Sequence, residues 1–74
     1  MQNINENAGA SKSQTERILD WMLQGHAITP IDALNLFGSF RLGARIAEIK
    51  ARGYLVYSEF VTTPNGKKVK QYHL

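Results

Sequence analysis

Two helical patterns meet across only two residues. In "TPIDALNLFGSFRLGARIAEIKARGY", residues 29 to 54, one pattern runs from Pro30 to Phe37 and the next from Phe40 to Arg52, with Gly38 and Ser39 between them. Glycine enters the left-handed conformation that ends a helix at little cost. A spacer this short forces the two helices to cross steeply. The start of the first of them is well marked: Thr29 is a natural N-cap, Pro30 fits the first helical position, and Asp32 lies three residues after the cap. Ile31, Leu34 and Phe37 are then expected on its inner side. For the second, Ser39 is the expected N-cap. At about 100° per residue, Leu42, Ile46 and Ile49 share one narrow sector, the side expected to face the core. Arg41, Arg45, Glu48 and Arg52 form a stripe beside it, and Phe40, Ala44, Ala47 and Ala51 lie roughly opposite. Gly53 ends the helix.

The flanks complete the order of elements. Residues 1–12, "MQNINENAGASK", show neither helical nor strand period and read as a tail, leaving residues 13–74 as the domain. "SQTE" is a capping box, so a first helix is expected over about residues 14–24, with Ile18, Leu19, Met22 and Leu23 at helical spacing and Gly25 as its stop. "HAI" is a connector or a brief strand. After Gly53, "YLVYSEFV" is rich in aromatic and β-branched residues, "TTPNGK" supplies turn chemistry, and "KVKQYHL" resumes an alternation. That is a β-hairpin, with Val56, Tyr72 and Leu74 facing the helices and the tip, Thr63 to Lys68, extending past the core. Tyr54 fits either a packed or an exposed position, and the phase of Ser58 and Phe60 is open.

Composition narrows the function. Seventy-four residues, 43% hydrophobic, allow one small core. Cysteine is absent, which excludes disulfides and thiolate metal sites and fits a reducing cytoplasm. No stretch approaches the roughly 18 apolar residues of a membrane span, and the first ten residues do not resemble a signal peptide. The net charge of +3 conceals an asymmetry: residues 1–38 hold two cations against four carboxylates, whereas residues 39–74 hold seven against two. Clustered cations are what a phosphate-binding surface needs, although a basic solvated face has the same composition. His26 and His73 stand in no metal-ligand spacing with carboxylates, no Ser or Thr has a plausible base, and Gly38 and Gly43 do not make a phosphate loop. No enzyme, cofactor or metal is expected; His26 reads as a cap on the connection after the first helix.

The segment "ITPIDALNLFGSFRLGARIAEIKARGY", with the ending "KQYHL", resembles the compact winged helix-turn-helix proteins of bacteria, their phages and mobile elements. The likeness covers about residues 14–74. It implies an α+β fold, three short helices followed by a hairpin wing, and binding to double-stranded DNA, with the third helix as reader. The physical reading agrees, because a major groove accepts one helix whose N-terminal part approaches the base edges. Ser39, Arg41, Ala44 and Arg45 are the candidate contacts there: the arginines for guanine or phosphate, Ala44 for close approach, and Ser39 with the helix start for a phosphate. Lys67 and Lys68 are the candidates in the wing. Phe40, Lys50, Arg52 and Lys70 are secondary candidates.

Each candidate has a plainer alternative. Arg45 can pair with Glu48 or Asp32; Lys50 and Arg52 suit a helix C-terminus; the wing lysines protect a strand edge; and Phe40 is expected to pack over the end of the second helix rather than to wedge between bases. Trp21 is expected in the core, with a second-subunit anchor as the alternative. Three functional classes therefore remain. The leading one is a cytoplasmic DNA-binding regulator or architectural factor of a phage or mobile element, acting as a homodimer or cooperative array. The second is a winged-helix module that docks on a protein partner through the Phe40, Ala44, Ala47 and Ala51 stripe. The third is RNA binding, which favours exposed Tyr or Phe on the ribbon.

Overall fold

The computed structural model describes residues 12–74. Three helices, α1 (Gln14–Leu23), α2 (Pro30–Phe37) and α3 (Leu42–Ala51), precede two antiparallel strands, β1 (Tyr57–Thr62) and β2 (Lys68–His73). The tail expected over residues 1–12 lies outside the described residues apart from Lys12. The ammonium of Lys12 pairs with Asp20, whose hydrogen bond and charge raise the Lys12 pKa.

Local chemistry sets the helix starts. Ser13 accepts from the Glu16 amide at 3.1 Å while the Glu16 carboxylate accepts from the Ser13 amide at 3.0 Å. Thr29 and Asp32 repeat the arrangement ahead of Pro30. Each box satisfies two amides that have no partner inside the helix. The end of α2 is closed from a distance as well, since the Gln14 side chain donates to the carbonyls of Phe37 and Gly38 at 3.3 Å each.

The core is built from Ile18, Leu19 and Met22 of α1, Ile28, Ala33 of α2, and Leu42, Ile46 and Ile49 of α3, with Trp21, Phe37, Val56, Tyr72 and Leu74 packed around it. One expectation for α2 fails. Ile31 is 55% exposed, and Ala33 is the fully buried residue. With the helix phase fixed by Thr29, the side that meets α1 carries Ala33 and Phe37, and a methyl group there allows close approach.

The turn between α2 and α3 is longer than its sequence suggests. Gly38 is left-handed, with φ +67°, and its amide reaches the Leu34 carbonyl while the Ser39 amide reaches that of Ala33. The Ser39 hydroxyl accepts from the Arg41 amide at 3.3 Å, so it closes the turn two residues on instead of capping a helix. Consequently α3 begins at Leu42, Arg41 occupies the N-cap position without a side-chain cap, and Phe40 lies outside the helix. Gly53, with φ +98°, follows the last turn as expected.

The hairpin starts at Tyr57 rather than Tyr54. Its tip is held by the Gly66 amide on the Thr63 carbonyl at 2.9 Å, by the Lys67 amide on the Thr63 hydroxyl at 3.1 Å, and by the Thr63 amide on the Lys67 carbonyl at 2.7 Å. "HAI" forms a one-residue bridge: Ile28 and Tyr72 exchange both backbone hydrogen bonds, at 2.9 and 2.8 Å. That bridge ties the hairpin to the α1–α2 connection and leaves β2 between Ile28 and β1.

Candidate functional site

Because Leu42, Ile46 and Ile49 take the inner side of α3, the outer side is left to Gly43, Ala44, Ala47 and Ala51. It therefore presents backbone and methyl groups, with longer side chains only at its margins. Gly43, Ala47 and Ala51 are exposed and Ala44 is half-buried. Lys50 is exposed on one flank. Arg52 is exposed at the C-cap, where its cation complements the helix carbonyls.

The opposite flank holds a relay between helices. Thr15, on α1 and 1% exposed, donates its hydroxyl to the Glu48 carboxylate, which pairs with an Arg45 η-nitrogen at 3.2 Å. The Arg45 side chain is largely buried and its Nε has no hydrogen-bond partner among the described residues. The plainer alternative for Arg45 is thus present in the structure. Arg41 differs: it is exposed and makes no ion pair among the described residues. Arg41 and Arg45 nevertheless share one cleft of about 260 Å³, lined also by Gln14, Gly38, Ser39 and Phe40.

Two other candidates sit differently from expectation. Ser39 is 2% exposed with its hydroxyl engaged by the Arg41 amide, so its side chain faces the turn interior. Phe40 does not cover α2; it is 86% exposed, because the residues that would have started α3 are used to complete the turn. It stands at the rim of an apolar cleft of about 340 Å³ that includes Ile31, Leu34 and Val69.

In the hairpin, Lys67, Lys68 and Lys70 are exposed, and none has a carboxylate partner among the described residues. The Lys70 ammonium lies 5.6 Å from the Phe60 ring centroid, across the strand pair. Tyr57 and Phe60 are exposed on the ribbon. Trp21 is half-buried, stacks on His26 with centroids 3.8 Å apart and donates to the Ala27 carbonyl at 3.4 Å; His26 therefore covers an aromatic ring instead of capping the connection. Sequence reasoning did not anticipate the Thr15–Glu48–Arg45 relay or the Gln14 bond to α2. Thr15 and Glu48 are 33 positions apart, and only the α1–α3 packing brings them together.

No helix among the described residues is long and apolar enough to cross a membrane. Comparison with protein families matches residues 13–74 to a family described as a winged helix-turn-helix domain. Neither the curated proteins nor the solved structures contain a match to the chain.

Proposed function

The chain belongs to the winged helix-turn-helix domain family, and on that premise we propose that it binds double-stranded DNA as a regulator or architectural factor, with no catalytic role, in the cytoplasm or nucleoid of a bacterium or on behalf of a phage or mobile element. The observation that carries this reading is the outer side of α3. Gly43, Ala44, Ala47 and Ala51 let the helix backbone come close to a groove floor, and Arg41 and Lys50 at the margins have no carboxylate to neutralise them among the described residues. A major groove is wide enough for such a helix, and the residues at its start reach the base edges.

Arg41 is the first choice for a guanine or phosphate contact, with Arg45 beside it in the same cleft. Lys67 and Lys68 supply flanking phosphate contacts, with Lys70 and Arg52 as lesser contributors. The test is a duplex-binding titration over a range of salt. About six phosphate contacts correspond to a log–log slope of about −5. Replacing Arg41 by Ala should weaken binding and reduce discrimination among sequences, whereas the Lys67→Ala/Lys68→Ala pair should weaken binding uniformly and flatten the slope by about 2. A second reading, docking on a protein, draws on Phe40 and its apolar cleft. It predicts a salt-insensitive complex that Phe40→Ala abolishes and Arg41→Ala leaves intact.

A further inference from the structure

Among the described residues the backbone of β1 has one satisfied edge and one open edge, and the hydrogen-bond parity of the sheet says which residues own the open one. Tyr72 gives both its amide and its carbonyl to Ile28, so neither points at β1. Its register partner Ser58 is therefore a non-hydrogen-bonded pair within the hairpin, and the Ser58 amide and carbonyl point outward. Alternation places those of Phe60 and Thr62 outward too, while Tyr57, Glu59 and Val61 bond β2. The Thr63 amide reaching Lys67 agrees with this phase.

An open edge is ordinarily protected by proline, lysine or a cover of other chain. In β1, YSEFVT, there is no Pro and no Lys, and the single charge is Glu59. Tyr57 and Phe60 are exposed on the strand, and Leu55 just before it is 76% exposed. The lysines of the hairpin are all on β2 or the tip; β2 is bridged by Ile28 at Tyr72 alone, so they guard the rest of that edge and leave β1 without such a guard.

We propose that β1 pairs antiparallel with β1 of a second copy, about a two-fold axis through Ser58, to give a continuous four-stranded sheet. A second copy fits this edge because the pattern is self-complementary. With Ser58 opposite Ser58, each donates to the carbonyl of the other. Phe60 then meets Val56 of the second copy, beside the rim of its core, and Glu59 meets Tyr57 instead of another Glu59. A base-stacking role for Tyr57 and Phe60 would use the side chains alone and leave the exposed outward amides of Ser58 and Phe60 to water. The contact is short, so the dimer is a micromolar one. It is independent of DNA binding.

The test is sedimentation equilibrium of the full chain without nucleic acid, over low to high micromolar concentrations, with amide exchange measured in parallel. The wild type should shift from monomer to dimer, and protection of the Ser58 and Phe60 amides should rise with concentration. Ser58→Pro removes only an outward amide, which an edge strand tolerates. It deletes two reciprocal hydrogen bonds and should raise the dimer dissociation constant about thirtyfold. Phe60→Lys, at an exposed position opposite Lys70, should give monomer with only a small fall in melting temperature from the two facing ammonium groups, and serves if the proline variant unfolds. A wild type that stays monomeric, or a dimer indifferent to both substitutions, overturns the proposal. So does single-stranded oligonucleotide binding lost in Phe60→Lys with no wild-type dimer.

Discussion

Glu48→Gln separates the two roles that Arg45 can have. In the folded protein Glu48 accepts the Thr15 hydroxyl and pairs with Arg45 at 3.2 Å, with the carboxylate about half exposed. The substituted amide keeps an oxygen that accepts from Thr15, so the buried hydroxyl stays satisfied; what disappears is the charge. A pair of this exposure contributes about 0.5 kcal/mol after solvent screening, which corresponds to a melting shift of about 2–4 °C in a domain of this size. For DNA the sign reverses. Removing the carboxylate releases the Arg45 guanidinium, and one added phosphate contact steepens the salt slope by about 0.9 and raises affinity between about threefold and tenfold near 0.1 M salt. Fluorescence anisotropy with a duplex probe at several salt concentrations, alongside thermal melting, measures both quantities. If Glu48→Gln weakens binding or leaves the slope unchanged, Arg45 is a structural pin between α1 and α3 and is not part of the DNA surface.

Other expectations follow from the same geometry. Ala47→Glu, on the exposed outer side of α3, should change stability by less than about 0.5 kcal/mol in thermal melting while abolishing detectable duplex binding; unchanged binding would move the interface off α3. Gly38→Ala forces a side chain into a left-handed turn with φ +67° and should cost about 1 kcal/mol, measured by urea unfolding at constant m-value. Thr15→Val removes the hydrogen bond of a buried hydroxyl at nearly constant volume, and should cost about 1 kcal/mol by the same unfolding assay, less than Glu48→Ala, which strands both Thr15 and Arg45.

What the sequence disclosed is what short-range chemistry decides. The Ser13–Glu16 capping box, the Thr29 cap with the Pro30 start, the stops at Gly38 and Gly53 and the inner side of α3 follow from residues within a turn of one another, and each stands in the structure as read. The start of α3 escapes such a reading because Ser39 is a good cap by type, yet its hydroxyl is engaged by Arg41 within the turn. Moving the start from Phe40 to Leu42 changes two side chains at once: Phe40 becomes an exposed aromatic instead of a packing residue, and Arg41 becomes a cap-position cation instead of a member of a helical stripe. The Arg45–Glu48 pair is visible as an i, i+3 spacing, but Thr15 is not, since no local rule links positions 33 apart. The phase of β1 is open in the sequence for a similar reason. Its strand alternates weakly, and the Ile28–Tyr72 bridge, a tertiary contact, sets which amides look outward.

Gly43 poses the sharpest question about α3. It lies in the first turn of a helix that has no side-chain cap, where glycine costs roughly 1 kcal/mol relative to alanine. Nothing in the described fold asks for it: an added Cβ would meet no atom within 4 Å, and its φ is not left-handed. The folding of the isolated chain therefore gains from Gly43→Ala, by up to about 1 kcal/mol, or a rise in melting temperature of about 4–8 °C. If the outer side of α3 enters a groove, the same methyl group projects where the backbone comes closest to the DNA, and affinity should fall as stability rises. Thermal melting and duplex titration of the one variant read both effects. A variant that gains stability and binds DNA as tightly as the wild type would show that close backbone approach at the start of α3 is not how this surface works, and the contact would then have to lie with the side chains at its margins.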